Sequence, residues 1–393
     1  MKNIIKKITA AALCAITLTG SAFSTTQAFA AADSVSPPRI GFTQVMEDYA
    51  ERIMSLFIGS TNKKSDIEFT AERGEIFAAK KHFNSAHAST VVKMSDGNLL
   101  SAWFAGSGEG NSDVRIWYSV FESGEWSTPV QLASKDTVAH WNPVLQDMGD
   151  YVRLYYKVGE NTKNWVTKYC DTYDCGKTWT SAKELVEGDT SGGRGPVKNK
   201  CIVTSDGVMI APASTEQGKW RAFFDISTDG GATWEKTDYI VAKDGMGKDV
   251  EMIQPTLWED KEGNIHAMFR TKAGRIYKCD SYDGGYTWSD AYAMKLMNNS
   301  SGIDCVMTDN GWLWLAYNPI GIEGFRNKLI LSVSKDNGET WEDVIELENK
   351  LFGEYSYPSI IADGNTIYLH ILTQEQKSTI RLLNFKHIYY III

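Results

Sequence analysis

The chain of 393 residues is 43% hydrophobic and 12% aromatic, which supports a packed core and excludes a low-complexity or disordered protein. A net charge of −9 and a pI near 5.3 argue against nucleic acid or an anionic membrane as partner, so an anionic ligand would need locally concentrated positive charge.

Residues 1–31 begin with Lys2, Lys6 and Lys7, continue with an apolar run from Ile8 through Leu18, and end in small residues around Ala30-Ala31. This pattern predicts a secretory signal peptide whose apolar run is too short to cross a bilayer, and hence an exported protein with no membrane span. Of six cysteines, Cys14 lies in that segment, and five remain. Cys170 and Cys175 are close enough in sequence to be bridged, but the odd count and the lack of metal-ligand spacing argue against a disulfide framework or a zinc site. No metal or cofactor is expected.

Residues 32–65 read as a leader: a loop at Ser36-Pro-Pro-Arg-Ile40, apolar residues at helical spacing over Val45 to Ile58, and a polar linker from Ser60 to Ser65. The folded domain is expected over 66–393. From Ser89 to Phe104 two apolar runs flank Asp96-Gly97, a hairpin signal. Similar pairs of runs follow at Asn142 to Lys157, Lys200 to Ala213, Gln254 to Arg270, Ile303 to Tyr317 and Ser359 to Leu372.

Between them one eight-residue phrase recurs. Thr172 to Trp179 reads TYDCGKTW, Ser227 to Trp234 STDGGATW, Ser281 to Trp288 SYDGGYTW, and Ser334 to Trp341 SKDNGETW. The aspartates Asp174, Asp229, Asp283 and Asp336 are 55, 54 and 53 residues apart, and Ser119 to Trp126 is a degenerate copy without the Asp. A fixed period of this size marks one structural unit repeated along the chain. Asp followed by a Gly free to take positive φ is turn chemistry, and the Trp reaches back to bury its ring. A repeated residue is not unique to one active site, so the boxes are read as structural.

Six units, starting near residues 87, 140, 198, 253, 303 and 356, predict an all-β, six-bladed propeller of four-stranded antiparallel blades, because radial repetition protects sheet edges. The last unit is short, and a strand before His82 is expected to complete it.

The boxes resemble the Asp-box repeats of the sialidase (neuraminidase) superfamily. That resemblance implies a site on the propeller axis, opposite the boxes, with three arginines for a sugar carboxylate, a Tyr nucleophile activated by Glu, and an Asp acid. Arg270, closing Gly263 to Arg270, resembles the second arginine, and Arg326 the third. Tyr355-Ser356 resembles the nucleophile segment, and Asp113 lies where the acid is expected. Two positions depart from the pattern: His87 stands where the first arginine is expected, and Gln254 stands where the activating Glu falls. Glu216 is another carboxylate in reach, while Glu251 is three residues from Gln254 and on the other face of a regular strand.

His140 and the basic, glycine-rich loop of Arg194, Gly192 to Lys200, open neighbouring units and add candidates for anion binding. The expected function is a secreted, monomeric, sialidase-like exo-glycosidase for a carboxylate-bearing glycan. A histidine-rich site would instead suit a uronate-polysaccharide lyase, since His is an apt base for an acidified proton. A carbohydrate-binding propeller without turnover is the third reading.

Overall fold

The computed structural model describes residues 42–392 apart from 78–80, 351–352, 365 and 376–384. The expected signal peptide, with Cys14, lies outside the described residues. The chain forms an all-β propeller of antiparallel blades, and the strands among the described residues make six sheets. In the first four, the strand order is the chain order from the axis outward: Ser85–Lys93, Leu99–Gly106, Arg115–Glu122 and Glu125–Trp126 in the first, for example, and Met252–Glu259, Ile265–Thr271, Arg275–Ser281 and Tyr292–Met297 in the fourth. Inner strands of neighbouring sheets pack side by side, and Gly353–Asp363 of the sixth packs on Ser85–Lys93 of the first. Glu72–Glu75 pairs with Phe385–Ile392, so an early strand supplies the outer edge of the last sheet.

Alternating apolar residues of each sheet bury against its neighbours. One cluster joins the first and second sheets through Phe104, Trp141 and Leu154, and another joins the fifth and sixth through Trp314, Leu331 and Leu369. The boxes fasten these junctions. In each one the Ser or Thr hydroxyl donates to the Asp and accepts from the box glycine, as in Ser281 Oγ to Asp283 at 2.8 Å and Gly285 N to Ser281 Oγ at 2.9 Å. The Asp also accepts from the backbone and hydroxyl of the box threonine. The box then reaches the preceding sheet: Trp288 stacks on Phe224 with centroids 4.0 Å apart, and Gly231 O accepts from Arg153 Nη1 at 3.0 Å.

The five described cysteines are free thiols, so Cys170 and Cys175, close enough in sequence to be bridged, are not. Two features differ from expectation. The helix spans Phe42–Ile58 and is docked rather than detached, with Arg275 paired to Asp48 and Glu51, and Arg52 Nε donating to Gly321 O. Within the stretch read as a linker, Lys63–Lys64 adds a parallel strand beside Glu342–Asn349. None of the described helices is long and apolar enough to cross a membrane.

Candidate functional site

Strand parity places the site. An inner strand crosses the ring, the second returns, and the third crosses again. Each box, in the turn after the third strand, therefore shares a face with the first hairpin turn. The opposite face collects the starts of the inner strands and the loops between second and third strands. His87, Gln254 and Tyr357 come from inner strands there, while Glu216, Trp220 and Arg326 come from loops and Arg270 from the end of a second strand.

A backbone feature recurs on that face. Ala88, Asn142, Gln254 and Tyr357 have φ of 51°, 36°, 53° and 51°, left-handed values that non-glycine residues seldom adopt. Each sits in a β-bulge of an inner strand. Proline follows three of them, Pro143, Pro255 and Pro358, and Gly195-Pro196 repeats the pair in the third unit. A bulge leaves a residue out of the ladder, so proline's missing N–H costs no strand hydrogen bond there. Strain of this kind costs on the order of 1–3 kcal/mol per residue, and it concentrates where a side chain must be re-aimed.

Two of the left-handed residues, Gln254 and Tyr357, meet at Arg270. Its Nη1 donates to Gln254 Oε1 at 2.9 Å and to the Tyr357 phenol oxygen at 3.1 Å. Arg270 is buried, pairs with no carboxylate among the described residues, and its Nε has no hydrogen-bond partner among them. A buried guanidinium without a counter-ion is costly unless a ligand supplies the negative charge. Arg326 stands on the same tyrosine, its Cζ 5.8 Å from the ring centroid, and pairs with Glu354 at 3.1 Å. His87 meets the Tyr357 ring edge-on at 4.3 Å and stacks on Phe104 at 5.3 Å.

Trp220 forms the rim, with Arg270 5.0 Å and Lys272 4.3 Å from its ring centroid. Its backbone N–H donates to Glu251, which also pairs with Lys272, and these contacts hold the Glu251 carboxyl below its usual range. Glu216 accepts from Thr162 at 3.2 Å; burial raises its pKa, against the pull of Arg270. A half-buried carboxylate whose affinity for a proton is raised is a stronger base than an exposed one, which suits it to proton transfer.

Four expected residues are elsewhere or otherwise engaged. Tyr355 is wholly buried among Trp314, Leu329, Leu369 and Ile371, in the core between the fifth and sixth sheets. It would share a face with Tyr357 on a regular strand, but the left-handed Tyr357 breaks the alternation, and Tyr357 is the ring at the axis. His140 is buried between the first two sheets, 3.2 Å from Ser134 Oγ and against Tyr156, and burial lowers it to about 4. Tyr355 and His140 each stand two residues before a left-handed residue, the place that faces the inter-sheet core. Arg194 turns away to Asp225 at 2.8 Å, Asp189 at 3.3 Å and Trp234 O at 3.0 Å. Asp113 is exposed on the site face and accepts from Ser107 Oγ at 2.7 Å and Ser107 N at 2.8 Å; the hydroxyl contact leads in holding its carboxyl low. The residues missed are Tyr357 and Trp220. The Gln254-Pro255 and Tyr357-Pro358 parallel was the available signal for the first.

A BNR repeat-like domain matches residues 97–371, more than half of the chain. The chain belongs to that family, among the propellers of the sialidase superfamily. Solved structures share the fold. A protein of unknown function from Dyadobacter fermentans superposes with a TM-score of 0.66 at 17% identity, over 82% of this chain and 97% of that one. Trypanosoma rangeli sialidase, in complex with the inhibitor DANA, gives 0.64 at 14% identity, over 83% and 60%. The NanB sialidase of Streptococcus pneumoniae gives 0.62 at 15%, over 84% and 72%. The BNR chain thus spans less than two thirds of the trypanosomal enzyme, and no curated protein matches it in sequence.

Proposed function

We propose that this protein is a secreted, monomeric, sialidase-like exo-glycosidase, a six-bladed ring that removes a terminal carboxylate-bearing sugar from a glycan. The observation that carries the reading is Arg270, a buried guanidinium with no carboxylate of its own among the described residues, beside Arg326 and over Tyr357. A planar guanidinium grips a carboxylate by two parallel hydrogen bonds. A neutral phenol is a suitable nucleophile beside such a substrate, because an anionic side chain would be repelled by it.

In this reading Arg270 and Arg326 hold the carboxylate, and the Tyr357 oxygen bonds to the anomeric carbon as the glycosidic bond breaks. The phenol proton passes to Glu216, because Gln254 has no basic oxygen and serves to orient Arg270. Asp113 protonates the leaving oxygen once the glycan displaces its Ser107 contacts. Water then cleaves the tyrosyl intermediate. His87 supplies an aromatic wall where the family pattern has an arginine. The lyase alternative needs paired histidines near the tyrosine, and the burial of His140 away from the axis counts against it.

The test is to incubate the purified protein with a fluorogenic sialoside and with uronate-containing polysaccharides. Release of the free acidic sugar without ultraviolet absorbance from unsaturated uronates is expected. Absorbance without sugar release would overturn the hydrolase in favour of elimination.

A further inference from the structure

Among the described residues two arginines face Tyr357, and a further cation, itself buried, lies behind it. Lys198 lies in the loop Gly192 to Lys200, whose other basic residues are neutralised, Arg194 by Asp225 and Lys200 by Asp304 at 3.1 Å. Among the described residues Lys198 pairs with no carboxylate. Its Nζ donates to Asn199 Oδ1 at 2.7 Å, to Ile303 O at 3.0 Å and to Pro358 O, the carbonyl next to Tyr357. Its stem and the tyrosine ring share one wall, since a Cβ on Gly302 would lie 3.1 Å from Lys198 Cε and 3.6 Å from Tyr357 Cδ1.

We propose that Lys198 is the third positive charge of the acidic-sugar site, acting through the Tyr357-Pro358 segment, and that it gains a proton when an anionic sugar binds. This rests on the function proposed above. All three acceptors around Nζ are carbonyl oxygens, and only the ammonium has three hydrogens to give them. A neutral amine would turn its lone pair on one of them and loosen the tie to Pro358. Burial opposes the charge and lowers Lys198 to about 7, with Asp304 favouring the ammonium and Lys200 and Arg270 opposing it. Lys198 is therefore poised at neutral pH. A carboxylate placed against Arg270, which pairs with no carboxylate among the described residues, offsets the positive charge that opposes the Lys198 ammonium and shifts the balance toward it. By linkage, affinity for the anion falls as pH rises through the ligand-free titration of Lys198. Lys198 thus acts as a positioning and charge-supplying residue rather than one that touches the substrate.

The experiment follows lysine Cε signals by NMR during pH titration, with Lys198→Met and Lys198→Arg assigning the resonance, in the absence and presence of N-acetylneuraminic acid or glucuronic acid. A near-neutral midpoint that moves up on adding the sugar, by threefold or more in proton affinity, is expected. Calorimetry of the unmodified chain in buffers of different ionisation enthalpy should show net proton uptake on binding. Binding with no movement of the midpoint and no proton uptake would overturn the role of Lys198 while leaving the proposed function standing. If neither sugar binds the unmodified protein, the carboxylate site itself falls, and Lys198 as its third charge falls with it.

Discussion

Arg270 Nη1 is shared between Gln254 Oε1 at 2.9 Å and the Tyr357 phenol oxygen at 3.1 Å, so one guanidinium ties together two of the left-handed residues on the site face. Tyr357 is therefore the group expected to react. Tyr357→Phe should lower kcat on an acidic glycoside by about 10³-fold or more, as deletion of a covalent nucleophile does. Tyr355→Phe, altering a ring in the inter-sheet core, should leave kcat within about threefold on the same scale of reasoning. Side-by-side kinetics decide, and the reverse order of effects would return the role to Tyr355.

Gln254 holds Arg270 but takes no proton. Gln254→Glu keeps the shape, adds a carboxylate next to Arg270, and brings a base to within reach of the phenol. General-base catalysis is worth about 10²–10⁴-fold where the geometry suits it, so a rise in kcat of at least about tenfold is expected. Glu216→Gln should lower kcat in the natural protein and matter much less beside Gln254→Glu. If the two substitutions act independently in a double-mutant cycle, Glu216 does not take the phenol proton.

The sequence made the architecture legible because the box is a local device. Ser281, Asp283, Gly285, Thr287 and Trp288 satisfy one another within eight residues, so the phrase survives as text and its period counts the sheets. Arg270, Arg326 and Glu216 were legible too, since the end of a second strand and the loop after it lie on the site face whatever the register. Tyr357 was obscured because one left-handed residue reverses the facing of every residue before it. The same slip put His140 at the axis on paper and between sheets in the fold. Arg194 was misplaced for another reason: Asp225, its partner, is 31 residues away, and no local pattern announces it.

The box glycines carry a stability prediction. Gly285 has φ of 94°, and a Cβ there would lie 2.5 Å from Ile210 Cδ1 in the preceding sheet. Gly285→Ala combines backbone strain with overpacking at a sheet junction and should cost about 1–3 kcal/mol or more. Gly207 has φ of 82°, and a Cβ there would meet nothing within 4 Å, so it offers the control in which backbone strain acts alone. Denaturant midpoints should fall further for Gly285→Ala than for Gly207→Ala. Equal shifts would show that the contact with Ile210 relaxes freely.

Two buried histidines set the acid limit of the fold. Burial lowers His140 to about 4 and His370 to about 3, from an ordinary value of 6.5. Below 6.5 the unfolded chain binds protons that the folded chain refuses, so ν for the unfolded state exceeds that for the native state and stability rises with pH across this window. As pH falls, stability is therefore lost from about pH 6.5 toward pH 4, by up to about 3 kcal/mol for His140 alone. Box aspartates such as Asp283 and Asp336 are held below their ordinary 3.8, so their contribution is lost at lower pH and leaves the histidine window distinct. His140→Gln keeps a polar side chain but cannot take up a proton. Melting temperatures of this variant from pH 7 to pH 4 should fall less steeply than those of the natural protein, and parallel curves would show that His140 is charged in the folded state.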